Sequence, residues 1–160
     1  MTLSKEEYIE DLVKEYADMV YRLAMSRTRN KDNAEDVFQE VFLRLAKNKP
    51  KFENKLHEKA WIIRVTINCT KNILNSTWLK RTTILEDNIL VEDKKTYDVY
   101  YEVLKLPLKY RTIIHLFYYE GFKIKEISIL LNMTESTVKT RLHRAREKLK
   151  NSLEGGFENE

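Results

Sequence analysis

Apolar residues recur along the first half of the chain at helical spacing. From about Ser4 to Arg29 they fall at Tyr8, Leu12, Tyr16, Met19 and Leu23, steps of three or four that predict one buried helical stripe. A second stripe runs from about Asp32 to Lys47 through Ala34, Val37, Phe38, Val41 and Leu45. Asp32 is placed to cap that helix, and Glu35 and Asp36 in its first turn suit the positive end of the helix dipole. The polar, basic stretch from Asn48 to Lys59 contains Pro50 and reads as a loop. A third helix is expected from near Glu58 to about Asn75, burying Trp61, Ile62, Val65, Cys69 and Ile73.

The pattern then changes. Residues 77–100 show no sustained helical stripe and carry acidic pairs at Glu86–Asp87 and Glu92–Asp93, the composition of a solvated linker. Beyond it, Pro107 stands where a helix can start and Gly121 where one can stop. Ile124, Ile127, Ser128 and Leu131 mark a short helix. Asn132-Met133-Thr134 is a turn, and Val138, Leu142, Ala145 and Leu149 form the seam of a longer helix capped by Thr134, with Glu135 in its first turn. A short helix, a tight turn and a longer helix make the helix-turn-helix pattern. The expected fold is all-α: two small helical domains, residues 1–76 and 101–160, joined by a flexible linker over 77–100. The last residues, NSLEGGFENE, are expected to fray.

Composition narrows the chemistry. Three Gly and two Pro in 160 residues are too few turns for an all-β fold, and no G-x-G or GK[ST] string offers a phosphate loop. The single Cys69 forms no internal disulfide, which fits a reducing compartment. His57, His115 and His143 stand apart, with no metal-ligand spacing, so no metal or other cofactor is expected. The longest uncharged apolar stretch, Thr112 to Tyr119, is far short of the ~20 residues that span a bilayer. The N-terminus lacks the pattern of a signal peptide. A cytoplasmic protein with no membrane contact of its own is expected.

The net charge is +4, and the final helix carries a dense run of basic residues. With Val138, Leu142, Ala145 and Leu149 inward, Lys139, Thr140, His143 and Arg144 lie outward, with Ser136 and Thr137 at the helix start. Six Lys/Arg against one acid, Glu147, fall between Lys139 and Lys150. A duplex carries one negative charge per ~1.7 Å of its axis, so a dense basic face on a helix-turn-helix points to DNA. A solvated basic helix is the plain alternative, and the preceding short helix and turn weigh against it.

The run LPLKYRTIIHLFYYEGFKIKEISILLNMTESTVKTRLHRAREKLK resembles region four of bacterial sigma factors. The string NAEDVFQEVFLRLAKN is similar to region two, and HEKAWIIRVTINCTKNIL to its W-L-x-x-I-x-x-N helix. Both blocks, in this order and at this length, resemble the compact extracytoplasmic-function (ECF) group, which keeps only regions two and four. The resemblance implies a non-enzymatic protein that binds core RNA polymerase, through its clamp helices and flap, and promoter DNA. Asp36, Gln39, Glu40 and Leu43 correspond to the surface docked on polymerase. Lys55, His57, Arg64, Asn68, Lys71 and Asn72 correspond to contacts with the melted minus-ten element. Ser136, Thr137, Lys139, Thr140, His143 and Arg144 correspond to readers of the minus-thirty-five element. The basic loop with Lys49, Lys51, Lys55 and Lys59, together with Phe52 and His57, is where the family captures an unstacked base, and Phe52 serves equally well as an anchor for that loop. Family habit adds an anti-sigma partner. Ser128 replaces the usual Ala of the family's E-I-A string, and Lys80 and Arg81 stand in for basic residues that often follow the Asn68 helix.

Trp61 is expected in the core of the first module, and Tyr118, Tyr119 and Phe122 in the seam around the helix-turn-helix. Without the resemblance, residues 1–100 also suit the sensor or dimerisation module of a stand-alone helix-turn-helix regulator. An enzyme built on Glu35, Asp36 and Glu40 is disfavoured, because those carboxylates sit on the outer side of an amphipathic helix with no nucleophile or His beside them. A 24-residue linker (77–100) stretches to at most ~80 Å, enough to let two modules reach DNA elements one to two helical turns apart.

Overall fold

The computed structural model describes residues 4–48, 50–76 and 98–158, and every regular element among them is helical. The chain divides into two units at Asn88/Ile89. In the first, α1 (Lys5–Thr28), α2 (Lys31–Asn48) and α3 (Lys55–Leu74) form a three-helix bundle.

α1 begins where Ser4 Oγ accepts the Glu7 N–H at 3.2 Å, with Glu6 and Glu7 complementing the dipole. It ends at Arg29, whose left-handed φ of 55° turns the chain directly into α2. The cap of α2 is Asn30 rather than Asp32: Asn30 Oδ1 accepts the Asn33 N–H at 2.8 Å. The αL residue before it ends α1 so tightly that the cap falls two positions earlier than charge alone indicated. The third helix likewise starts at Lys55, three residues before Glu58, because Asn54 Oδ1 accepts the His57 N–H at 2.8 Å. Lys55, His57 and Lys59 therefore lie in a helix and not in a loop.

The bundle core joins Leu12, Tyr16, Val20 and Leu23 to Ala34, Val37, Val41 and Leu45, with Ile62, Ile63 and Ile67 closing it. Each fully buried Leu or Ile contributes about 1.5–3 kcal/mol. Ile62 and Cys69 are buried as expected, while Trp61, Val65 and Ile73 are only half-buried. The inner face of α3 instead includes Thr66 and Thr70, which return their hydroxyl protons to the carbonyls of Ile62 (2.7 Å) and Ile67 (2.6 Å). Arg27 is buried as well, its Nε donating to Thr70 Oγ1 at 2.7 Å, and desolvation lowers its pKa to about 10.

The second unit opens with α4 (Asp98–Lys105), so a helix begins inside the stretch expected as linker. Its Val103 and Leu104 are buried. α5 (Leu108–Ile114) follows with Pro107 as its N-cap and runs into one π-helical turn, His115–Tyr119. Arg111, itself buried, donates from one guanidinium nitrogen to the carbonyls of Leu104 (2.9 Å) and Leu106 (3.3 Å). Those carbonyls lie at the end of α4, where Pro107 offers no N–H to continue the ladder. Gly121, with φ of 73°, lets the chain leave the π turn while the Phe122 N–H reaches the Leu116 carbonyl at 3.0 Å.

α6 (Ile124–Leu131) and α7 (Glu135–Glu158) complete the unit. α6 ends at Asn132 in the left-handed conformation (φ 53°), a residue type that tolerates it. Thr134 Oγ1 accepts the Thr137 N–H at 3.1 Å and so caps α7. The core gathers Val103, Leu106, Tyr110, Ile113 and Ile114 against Leu142 and Ala145, with Leu149 partly buried at its edge. α7 continues to Glu158, through residues expected to fray.

Candidate nucleic-acid interface

The helix-turn-helix is α6, the turn at Asn132–Thr134, and α7. Because Val138, Leu142 and Ala145 are fully buried, the rotation of α7 is fixed. Ser136, Lys139, Thr140, His143 and Arg144 are consequently exposed on its outer side. Thr137 is half-buried, with its hydroxyl 2.8 Å from that of Thr134, so it belongs to the cap network as well as to the surface. His143 Nε2 lies 3.5 Å from Glu147 Oε1. Ser128, in the short helix, donates to the Lys125 carbonyl at 2.7 Å, which lets a hydroxyl occupy the expected alanine position.

Two basic residues farther along α7 are turned to aromatic rings. Arg146 Nε donates to Tyr118 Oη at 2.6 Å, and its guanidinium lies 5.4 Å from the Phe117 ring and 5.5 Å from the Tyr118 ring. Lys148 Nζ lies 5.8 Å from the ring of Tyr110. Phe122 is buried as expected, but Tyr118 (54% exposed) and Tyr119 (40%) are not seam residues. The π turn inserts an extra residue into the helical register and rotates them outward. Beneath them His115 Nε2 lies 2.9 Å from Glu120 Oε2, both side chains being almost inaccessible.

The outer face of α3 presents Arg64, Asn68, Lys71 and Asn72, one turn apart and all exposed. Charge and amide groups side by side suit contact with phosphate and base. At the start of α3 the side chains are more committed. Lys55 Nζ is held by both oxygens of Glu15 (2.8 and 2.9 Å) and by Glu58 (3.3 Å), and these carboxylates raise its pKa. Tyr16 Oη donates to the same Glu58 at 2.7 Å; burial, then the Glu58 bond, raise the phenol's pKa. His57 Nδ1 accepts the Glu53 N–H at 3.1 Å, and Phe52 packs edge-on against His57 (5.5 Å) and Trp61 (6.0 Å). Phe52 is thus an anchor of its loop. Lys49, Lys80 and Arg81 lie outside the described residues.

On α2, Asp36, Gln39 and Glu40 are exposed and Leu43 is 64% exposed, an unusual position for a leucine on a helix whose other face is fully buried. Glu40 accepts from Arg44 Nε at 2.9 Å. Beside this face, between α1 and α2, lies an open cleft of about 460 Å³ lined by Ala17, Asp18, Tyr21, Glu35, Phe38 and Gln39. The surface combines one prominent apolar side chain with acids and an amide.

A helix-turn-helix with an exposed basic face, in a chain that also carries a three-helix bundle, is the architecture of a DNA-binding transcription factor. Residues 12–83 match the model of sigma-70 region 2, and residues 98–149 that of sigma-70 region 4. The chain is 31% identical over 168 aligned residues to the ECF RNA polymerase sigma factor SigW of Bacillus subtilis strain 168, covering 92% of this chain and 90% of SigW. It shares its fold with CnrH in complex with the cytosolic domain of CnrY (TM-score 0.71, 21% identity, 94% of this chain and 90% of CnrH). It also shares it with the sigma factor RpoE in complex with the anti-sigma factor NepR from Bartonella quintana (TM-score 0.67, 19% identity, 91% and 98% covered). The chain belongs to the ECF RNA polymerase sigma factors. It directs promoter-specific transcription initiation by RNA polymerase, and the sensor or dimerisation reading of its first unit is not favoured, since those residues match sigma-70 region 2. No helix among the described residues is long and apolar enough to cross a membrane.

Proposed function

We propose that the two units divide the work of initiation, residues 1–76 docking on the polymerase clamp helices and holding melted minus-ten DNA, residues 101–160 reading the minus-thirty-five duplex. The observation that carries this reading is the outer face of α7: its rotation is fixed by buried Val138, Leu142 and Ala145, and it presents Lys139, Thr140 and Arg144 together. A recognition helix reads base edges with side chains near its N-terminal turns, where these three stand with Ser136, Thr137 and His143. In the bundle, Asp36, Gln39, Glu40 and Leu43 supply the polymerase contact. Arg64, Asn68, Lys71 and Asn72 supply the DNA contact, while Lys55 and His57 shape the start of α3 beside it.

The chain performs no chemistry of its own in this scheme; polymerase makes the RNA, and the work is done in the cytoplasm. The complex of RpoE with its anti-sigma factor supports a similar inhibitory partner for this chain, one that covers the docking face until it is released. Run-off transcription with core polymerase on a randomised promoter library tests the whole reading. Selective initiation that Leu43→Asp abolishes and that Arg144→Ala weakens is expected. Initiation unchanged by adding the chain would overturn it.

A further inference from the structure

Six Lys/Arg lie between Lys139 and Lys150, and a uniform basic helix would offer all of them to phosphate. Lys148 is turned towards the Tyr110 ring and Lys150 towards Glu154, and Arg146 is the one that also donates a hydrogen bond to an aromatic side chain among the described residues. Its Nε donates to the Tyr118 hydroxyl at 2.6 Å, and its guanidinium spreads over Phe117 and Tyr118, two rings that themselves meet edge-on at 4.9 Å. Tyr118 is in turn not a floppy surface group. It sits in the π turn, which is closed by the Glu120 N–H on the His115 carbonyl (3.0 Å) and locked from within by the His115–Glu120 pair. Arg146 also lies far along the helix, ~16 Å from its first residue, beyond the turns that enter a groove.

We propose that Arg146 is a positioning residue for promoter reading and not a phosphate contact. By gripping Tyr118 it ties the exposed flank of α7 to the rigid π turn, complementing the apolar seam on the opposite flank. The seam fixes the rotation of α7, and the Arg146 grip fixes its tilt, which sets how deeply Thr140 and Arg144 reach. The Nε bond and the two rings hold the guanidinium in one place against the π turn, so its position is set by Tyr118 and Phe117. The proposal rests on α7 being the duplex reader, as argued above.

The test uses the full chain bound to core polymerase and a labelled promoter fragment selected in the run-off experiment, titrated by fluorescence anisotropy across a salt series. Arg146→Lys keeps the charge but cannot reproduce a planar fork lying on two rings. Arg146→Lys should weaken cognate binding about fivefold and lower discrimination against a fragment with a scrambled upstream element. The slope of affinity against salt should stay at the wild-type value. Tyr118→Phe, which removes one exposed oxygen and leaves the fold intact, should shift affinity and discrimination in the same direction. The double variant should be no weaker than the worse single one. Wild-type affinity in Arg146→Lys, with a slope reduced by about one in Arg146→Ala, would make Arg146 a phosphate contact and overturn the proposal. Arg144→Ala without effect on affinity or slope would instead overturn the reading of α7 itself, whatever Arg146 does.

Discussion

The two units treat their polar side chains in opposite ways. In the bundle, Lys55 is shared between Glu15 and Glu58, Arg44 is paired with Glu40, and Arg27 is buried against Thr70. In the first turns of α7, Lys139 and Arg144 make no ion pair among the described residues, and the one nearby pair, His143 with Glu147, is long at 3.5 Å. A donor already satisfied must break a bond before it can bind DNA, whereas one left in water exchanges only solvent and counterions. Lys139 and Arg144, on the outer side of α7, keep their reach by staying out of such pairs. The bundle uses several of its own cations to hold α3 on α1, and presents amides, Lys71 and an acidic face instead. Committed groups serve the fold in the second unit as well, at Arg111 and Arg146.

Substitutions can break this contrast in order of expected size. Arg111→Met leaves the Leu104 and Leu106 carbonyls without their guanidinium, and a stability loss of about 2–4 kcal/mol is expected in thermal or urea unfolding. Arg144→Ala should leave unfolding unchanged but cost about 1–3 kcal/mol in promoter binding; a flatter salt slope would mark a phosphate contact, relaxed sequence preference a base contact. Equal losses of stability from both variants would erase the distinction between committed and uncommitted arginines.

Tyr16→Phe removes the 2.7 Å bond to Glu58 and is expected to destabilise the bundle by about 1–2 kcal/mol at neutral pH. The folded phenol holds its proton more tightly than the ordinary value of 10.0. The wild-type advantage is thus fully present below pH 10 and lost as pH rises beyond it, because the unfolded chain ionises first. A gap between the two proteins that stays constant from pH 8 to 11 would contradict this. The smallest effect belongs to Lys55→Ala, which should lower the bundle's melting temperature slightly and leave the salt slope of DNA binding untouched. A slope reduced by about one would place Lys55 on DNA after all.

Most of the architecture was legible because periodicity reports burial directly. Val138, Leu142 and Ala145 were assigned to the inner face of α7 from their spacing alone, and all three are fully buried. Thr134 and Gly121 were equally readable, since cap and left-handed positions select particular residue types. Asp32 misled because acidity in a first turn and capping look alike in a sequence; the left-handed Arg29, which gave no glycine signal, moved the cap to Asn30. Thr66 and Thr70 were passed over on the inner face of α3 because their hydroxyls are silenced by bonds to the preceding turn. Tyr118 and Tyr119 escape the seam because their segment locally obeys a wider π turn, which nothing in the amino-acid pattern announces.

The amino-acid order by itself determined which faces are apolar, where helices stop, and which residue types crowd the outer side of the last helix, since these depend on neighbours within a turn or two. Which of those cations are available was decided only in three dimensions. Lys55 meets Glu15 across 40 positions, and Arg146 meets Tyr118 across 28. No local pattern encodes a partner that packing brings from another helix.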